Sequence, residues 1–284
     1  MPIDYDALMS TTAEDVAFSY SERDAMLYAL GIGIGSDPLN RQQLAYVANH
    51  QPLRTVPAMA SMFVPEDLLA DCGWDRNRVL HGEQRLELYR PLPPAARLLV
   101  KHGVTAAHDL GEAVGARIIV ESEGRLARDD TVLFSLQSTL LARGDGGFGG
   151  DRGSVPPPHA LPPREPDLSC DLPTRRDQAL LFRLSGDHNP LHSDPAIARQ
   201  AGFRVPILHG RCTFGIACHA ILKTICAYDF TLIAGIDARF TSPVYPGDVI
   251  STDMWQDRNI VSFRCRVAAR NAVVIDNGKC TLTG

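Results

Sequence analysis

The chain carries one strongly apolar helical pattern, FGIACHAILKTIC at residues 214–226. Apolar residues recur there at intervals of three and four, and further apolar residues extend the surface beyond one stripe. A helix with this much apolar surface is expected to pack against other parts of the protein on most of its sides. Runs typical of β-strands follow it, at residues 233–240, 249–255, 261–269 and 273–282. This order predicts an antiparallel sheet wrapped around one central helix.

A stretch rich in glycine and proline, residues 144–173, divides the chain. Glycine gives conformational freedom and clustered prolines give stiff, extended chain. The stretch is therefore predicted to link an N-terminal half, 1–143, to a C-terminal half, 174–284. The two halves also share a weak internal sequence similarity, because VLHG at residues 79–82 resembles ILHG at residues 207–210. This similarity indicates a degenerate duplication.

The first half begins with a helix signal of its own. Ser21 and Asp24 resemble a capping box, and the apolar residues behind them end at Gly31. Strand-like runs follow at residues 85–89, 117–121 and 131–141. Each half is therefore predicted to contain a helix followed by antiparallel strands.

Length and composition are those of a folded globular protein. The chain has 284 residues, of which 45 % are hydrophobic and 21 % charged. Its net charge of −5 gives no basic excess for nucleic acid or an anionic membrane. No apolar run is long enough to span a bilayer, and the N-terminus lacks the pattern of a signal peptide. Seven cysteines without a Cys-x-x-Cys pair predict reduced core thiols, so we expect a soluble cytoplasmic protein.

A dense polar segment, DHNPLH at residues 187–192, lies ahead of the apolar helix. Pro190 prevents a regular helix there, so Asp187, Asn189 and His192 can converge from a turn. A histidine with a carboxylate and an amide close by suits acid–base chemistry on water. The alternative is structural, since the same side chains form Asx turns and caps in many loops.

A zinc site is another interpretation of this segment. His188 and His192 have the i, i+4 spacing of a helical metal pair. Pro190 lies between them and removes the helix, so no metal site is predicted. Asp194 and Pro195 come next and predict the N-cap and first residue of a helix.

The second candidate feature is Gly210, directly before the apolar helix. The first N–H groups of a helix have no internal partner, and the helix dipole is positive there. Glycine lets a ligand oxygen approach the backbone closely, so a carbonyl gaining negative charge would be stabilised at this point. The alternative is a glycine that only a tight turn requires. The glycine-rich segments 31–35 and 146–150 lack the rest of a nucleotide- or phosphate-binding motif.

Long stretches of the chain resemble the (R)-specific 2-enoyl-CoA hydratases, the MaoC-like family with the hydratase 2 motif. In the second half the resemblance rests on LSGDHNPLHSDP at 184–195, AGF at 201–203 and PILHG at 206–210. In the first half it rests on residues 28–31, 80–84, 86–89 and 146–150, which resemble the two-domain form found in peroxisomal multifunctional enzyme type 2.

The resemblance implies an α+β double hot-dog fold, with two antiparallel sheets each wrapped around a central helix. The second half, 174–284, would be catalytic. The first half, 1–143, would be a degenerate copy that accommodates a bulky acyl chain. The implied reaction is the reversible addition of water to a trans-2-enoyl-CoA, which gives a (3R)-3-hydroxyacyl-CoA.

The resemblance also implies roles for individual residues. Asp187 and His192 are the implied catalytic pair, Asn189 helps to hold the water, and the Gly210 N–H binds the thioester oxygen. Substrate contacts are implied for His81, Gly82, His188, Pro190, Leu191 and Phe240. Neither a metal nor a redox cofactor is implied. The expected partners are the acyl-CoA substrate and a second copy of the chain in a homodimer, with no nucleic acid and no membrane.

One departure from the family concerns the binding of CoA. The longer relatives place a lysine between Asp109 and Gly111, where this chain has Leu110. Lys101 or Arg117 could supply the missing cation. Two other functions stay open at this point: an acyl-CoA thioesterase on the same fold, and a non-catalytic acyl-CoA-binding module.

Overall fold

The computed structural model describes residues 3–65, 68–69, 72–74, 78–154 and 156–284. Its strands are β1 (Thr12–Tyr20), β2 (Val79–Leu88), β3 (Ala96–Asp109), β4 (Ala116–Leu126), β5 (Val132–Ala142), β6 (Leu168–Pro173), β7 (Ile233–Phe240), β8 (Val249–Asp257), β9 (Ile260–Val267) and β10 (Ala272–Leu282). Its α-helices are α1 (Tyr5–Met9), α2 (Glu22–Gly31), α3 (Arg41–Val47), α4 (Gln178–Phe182), α5 (Pro195–Gln200) and α6 (Gly210–Thr224). Within the described residues, no helix combines the length and apolar character needed to cross a bilayer.

The ten strands form one antiparallel sheet, in the order β1-β3-β4-β5-β2-β7-β10-β9-β8-β6. Each half of the chain supplies one side of this sheet. β2 and β7 join the sides, with Leu86 opposite Ile236. Each half contributes five strands. Counted from the edge of the sheet to the β2–β7 pair, they are the first, third, fourth, fifth and second strand of that half. This two-fold order confirms the α+β fold of two related units, and it shows that their two sheets are continuous.

The two units differ in the helix that the sheet surrounds. In the second half this helix is α6, in which every residue from Cys212 to Leu222 is buried. In the first half a short 3₁₀ helix, Pro57–Met62, takes the corresponding place before β2, and it contacts β2, β5 and α6. The helix predicted for the first half, α2, packs across α6 instead. The Tyr28 side chain of α2 reaches α6 there, because a Cβ on Gly215 would lie only 2.8 Å from the Tyr28 hydroxyl.

The predicted helix starts are confirmed. The Ser21 N–H donates to the Asp24 carboxylate at 2.9 Å, which forms the capping box of α2. The Asp194 carboxylate accepts from the Ala196 N–H at 2.7 Å and caps α5, with Pro195 as its first residue. These local signals act over a few residues, so sequence alone is enough to place them.

The two similar tetrapeptides, residues 79–82 and 207–210, do not correspond in the fold. Residues 79–82 open β2, whose counterpart is β7, whereas 207–210 lead into α6. Their likeness is therefore no trace of duplication, although the duplication itself is visible in the strand order. The fold nevertheless brings the two segments together, because a Cβ on Gly210 would lie 3.3 Å from the His81 Cβ.

The predicted linker is bound to the rest of the chain along its length. Its glycine-rich part folds around Asp109, whose carboxylate accepts the N–H groups of Gly111, Gly147 and Gly149, each at 2.8 Å. Its proline-rich part is held against the second half, where the Asn277 side chain donates to the His159 carbonyl at 2.9 Å. Its last six residues form β6, an edge strand, so the second half begins before residue 174.

The cysteines lie in the core, as predicted. All seven lie in the described part of the chain, are buried and form no disulfide with one another. Burial raises the pKa of Cys218 in α6 to about 12, because the thiolate would lose its hydration there. These thiols therefore behave as small apolar side chains rather than as reactive groups.

An aromatic ring covers a glycine on the neighbouring strand in both halves. Phe134 on β5 is fully buried and pairs with Gly124 on β4, where a Cβ would overlap the ring. Phe263 on β9 pairs in the same way with Gly278 on β10. In both units the glycine lets the sheet close over a large ring that would otherwise find no space.

We expect Gly124→Ala to lower the free energy of unfolding by about 1–3 kcal/mol, because the new methyl group overpacks the Phe134 ring. In a Phe134→Leu background the same change should cost less. Gly103→Ala on β3 is the matched control, since its nearest neighbour is Thr12 Cγ2 at 3.7 Å. Urea denaturation of the wild type and of the four variants measures these costs. Equal costs of Gly124→Ala in both backgrounds would contradict the packing argument.

Candidate active site

A cavity of about 810 Å³ lies where the two halves meet. The first half supplies a mostly apolar wall that includes Val64, Pro65, Leu68, Leu69, Trp74, Val120 and Leu140. The second half supplies the polar end, formed by the turn at residues 187–192 and the start of α6. A largely apolar cavity with a few converging polar groups is typical of a small-molecule site.

The polar turn is rigid because its own side chains cap it. Asn189 precedes a short 3₁₀ helix, Pro190–His192, and its Oδ1 accepts from the Leu191 N–H at 2.9 Å. Asn189 therefore has the capping role that the sequence analysis gave as the structural alternative. Its amide NH₂ group remains a donor that can face the cavity, because Asn189 also lines it.

His192 is buried and held in one tautomer. Its Nδ1 donates to the carbonyl oxygen of Ile207 at 2.9 Å, since a carbonyl can only accept. A neutral ring then carries its lone pair on Nε2. Burial lowers the pKa of His192, although the nearby Asp187 carboxylate opposes this change. The ring is therefore a neutral acceptor near pH 7.

His209 fastens the turn to the start of α6, and the sequence analysis assigned it no role. Its Nε2 donates to the main-chain carbonyl of Asp187 at 3.1 Å. Its ring stacks on His192, with 3.8 Å between centroids and 30° between planes. Burial lowers the pKa of His209 to about 3, so it serves as a neutral clamp. In the sequence, its position next to Gly210 was the signal that could have indicated this role.

Asp187 is the carboxylate of the site. Burial, the largest single influence, would raise its pKa, but the Arg211 guanidinium, with smaller contributions from His209, His192 and the Asn189 N–H, holds the net pKa below the usual value. Arg211 is the second residue of α6 and lines the same cavity. Sequence reasoning missed it, although a cation in the first turn of an apolar helix is unusual.

Gly210 is the first residue of α6, so its N–H lies at the open, positive end of the helix. His81 on β2 stands beside it and packs on Phe240, with 4.9 Å between ring centroids. The His81 Nε2 is buried without a hydrogen-bond partner among the described residues. Burial lowers the pKa of His81 to about 3, so this ring is also neutral.

Most of the predicted site residues line this one cavity. They are Asp187, His188, Asn189, Pro190, Leu191, His192, Gly210, His81 and Phe240. Gly82 does not line it: Gly82 is buried on β2, where a Cβ would lie 3.0 Å from Leu141 Cγ. Lys101 and Arg117 also lie outside the lining, and Lys101 pairs with Glu14 at 2.8 Å.

The cluster of Asp187, His192 and His209 is also a possible metal site by composition, since its ligand atoms lie within 4.8 Å of one another. Zinc sits about 2 Å from each ligand nitrogen, close to the plane of the ring. Two rings stacked at 3.8 Å cannot both direct an in-plane lone pair at one such ion. The geometry suits proton chemistry better than metal binding.

Both halves of the chain match known protein families. Residues 18–144 match the MFE-2 hydratase 2 N-terminal domain, and residues 159–277 match the MaoC like domain. The enoyl-CoA hydratase ChsH3 of Mycobacterium tuberculosis is 39 % identical over 282 residues, which cover 97 % of this chain and 97 % of that protein.

Solved structures agree over the same extent. A MaoC-like dehydratase from Phytophthora capsici has a TM-score of 0.86 and 31 % identity, covering 99 % of this chain and 98 % of that one. Full-length peroxisomal multifunctional enzyme type 2 from Drosophila melanogaster has a TM-score of 0.83 and 33 % identity, covering 96 % of this chain and 48 % of the longer one. The chain therefore belongs to the MaoC-like hydratase 2 family, in the two-domain form with a double hot-dog fold.

Proposed function

We propose that this chain catalyses the reversible hydration of a trans-2-enoyl-CoA to a (3R)-3-hydroxyacyl-CoA. The observation that carries the proposal is the convergence of Asp187, His192 and the Gly210 N–H on one cavity. The names of its relatives support the same reaction, since ChsH3 is called an enoyl-CoA hydratase.

The proposed mechanism uses a single water. The Asp187 carboxylate and the His192 Nε2 are both acceptors, so each can take one hydrogen bond from the same molecule. The water oxygen then attacks C3 of the enoyl group and loses one proton to the pair. A proton from the pair reaches C2, so the elements of one water are added and both side chains return to their starting states. The close pair titrates as a unit, and the base and acid roles belong to both groups together.

Negative charge develops on the thioester oxygen during attack. We propose that the Gly210 N–H donates to this oxygen from the start of α6. A preorganised donor of this kind is typically worth about 10²–10³-fold in rate. The apolar wall from the first half would hold the acyl chain, because its side chains offer contact area without competing polar groups.

The reaction as proposed needs neither a metal nor a redox cofactor. Hydration changes no net oxidation state, and the developing charge meets protein donors. The substrate would be an acyl-CoA thioester. A homodimer and a cytoplasmic location stay predictions from the sequence.

The direct test is the ultraviolet absorbance of the conjugated enoyl thioester, followed with short, medium and branched trans-2-enoyl-CoAs. We expect the absorbance to fall and the product to be the (3R) alcohol by chiral analysis. Appearance of free CoA would favour the thioesterase instead. No change with any acyl chain, together with acyl-CoA binding, would favour a non-catalytic module.

Asp187→Asn should lower kcat by roughly 10²–10⁴-fold, because an amide cannot accept the proton of the attacking water. The folded state should persist, as judged by circular dichroism and the thermal midpoint. Asp194→Asn is the matched control, since Asp194 lies outside the cavity lining and asparagine also caps helices. Near-full activity of Asp187→Asn would show that the assignment of the pair is wrong.

Gly210→Pro tests the oxyanion donor with little change to the helix. Proline is favoured at the first helical position, where the missing N–H costs the helix no internal hydrogen bond. The preceding His209 has φ −59° and ψ 141°, a conformation that a following proline accepts. We expect kcat to fall about 10²–10³-fold. Gly210→Ala keeps the N–H and adds the same Cβ near His81, so it should lose much less. Equal losses in both variants would assign the effect to the Cβ.

A further inference from the structure

Arg211 occupies a position in α6 where a positively charged side chain is unfavourable. It lies in the first turn of α6, at the positive end of the helix dipole, where acidic side chains are stabilising. α6 has no acidic residue in that turn. No carboxylate of the described residues lies within 4.0 Å of the guanidinium. A cation that breaks a local preference without a close partner points to a role in the site.

Formal charge in the described lining of the cavity is limited to two side chains. Asp187 is the one carboxylate there, and Arg211 is the one arginine or lysine. The other ionisable groups near Asp187 are imidazoles: His192 from the same turn, His209 from the start of α6, and His81 from β2. Burial lowers the pKa of each of these three rings, so near pH 7 they give Asp187 no positive charge. His188, which also lines the cavity, is exposed.

We propose that Arg211 is a positioning residue that keeps Asp187 ionised inside the cavity. The inference rests on the proposed hydration, in which Asp187 must accept a proton from water. A carboxyl group among apolar walls tends to become protonated, because the charged form loses its hydration. A guanidinium stays charged at every working pH, and its field extends beyond hydrogen-bond distance where the dielectric is low.

The direction of the effect follows from these charges. In the wild type Arg211 is the largest of the influences that oppose burial and lower the pKa of Asp187. Without the guanidinium, burial is less opposed, so the pKa rises and the carboxylate takes up its proton at a higher pH. Arg211 also lowers the pKa of His192. Loss of the cation therefore moves both members of the pair toward protonation as the pH falls, and activity is lost earlier on the acid side.

A direct contact of Arg211 with the thioester oxygen is the competing role, since it follows Gly210 in the chain. The two roles differ in their dependence on pH. A counter-charge to Asp187 changes the pH at which activity is lost and leaves the plateau rate nearly intact. A contact with the oxyanion lowers kcat by the same factor at every pH.

The test is the pH profile of kcat/KM for the wild type, Arg211→Gln and Arg211→Lys. We expect Arg211→Gln to move the midpoint of the acid limb upward by roughly one pH unit. Arg211→Lys should restore the midpoint, and the plateau should stay within about threefold of the wild type. Arg211→Leu serves as a second neutral variant if glutamine disturbs folding. Arg199→Gln is the matched control, because it removes the same charge from an exposed position on α5.

A second readout does not require turnover. The ¹³C signal of the Asp187 carboxyl, assigned by its loss in Asp187→Asn, should titrate at a higher pH in Arg211→Gln than in the wild type. An unchanged carboxyl titration and acid limb would overturn the inference, as would a uniform loss of kcat across the profile. If the wild type hydrates no enoyl-CoA, the proposed function fails, while the carboxyl titration still decides whether Arg211 controls Asp187.

Discussion

Burial of α6 from Cys212 to Leu222 is the constraint on which the rest of the structure depends. Its residues from Cys212 to Leu222 are buried on every side of the helix, and all but His219 are apolar or small, so one sheet cannot cover them. The second half supplies its own five strands. The first half supplies the short helix Pro57–Met62 and the end of α2, where the Gly31 carbonyl accepts from the Cys212 thiol at 3.4 Å. Joining the two sheets at β2 and β7 closes this enclosure. The cavity opens at the start of α6, where Gly210 and Arg211 line it.

The proposed chemistry depends on how that start is connected to the turn before it. His209 donates to the Asp187 carbonyl and stacks on His192, while the His192 ring donates to Ile207. Each bond uses one ring nitrogen and fixes the orientation of the ring. The turn and the helix end therefore act as one rigid piece, which is the form of support that a preorganised site needs.

Sequence reasoning was strongest where the signal was local or the motif long. It predicted the caps of α2 and α5, the apolar character of α6, and the family. It missed β3, because ARLLVKHGVTAAHD mixes lysine, histidine and glycine into a long strand and lacks a clear alternation. It missed the roles of His209 and Arg211, because these depend on which segments meet across about twenty residues of chain. The substrate contact of Gly82 stays a prediction, since Gly82 is not part of the described cavity lining.

The short helix of the first half has a consequence for how many centres one chain can hold. Pro57 opens that helix where Gly210 opens α6, and proline has no N–H to donate. The first unit thus lacks the backbone donor that would meet a developing oxyanion, whatever side chains surround it. The duplicated architecture is therefore asymmetric: two units enclose one cavity, and Gly210 of the second unit supplies the N–H at its polar end.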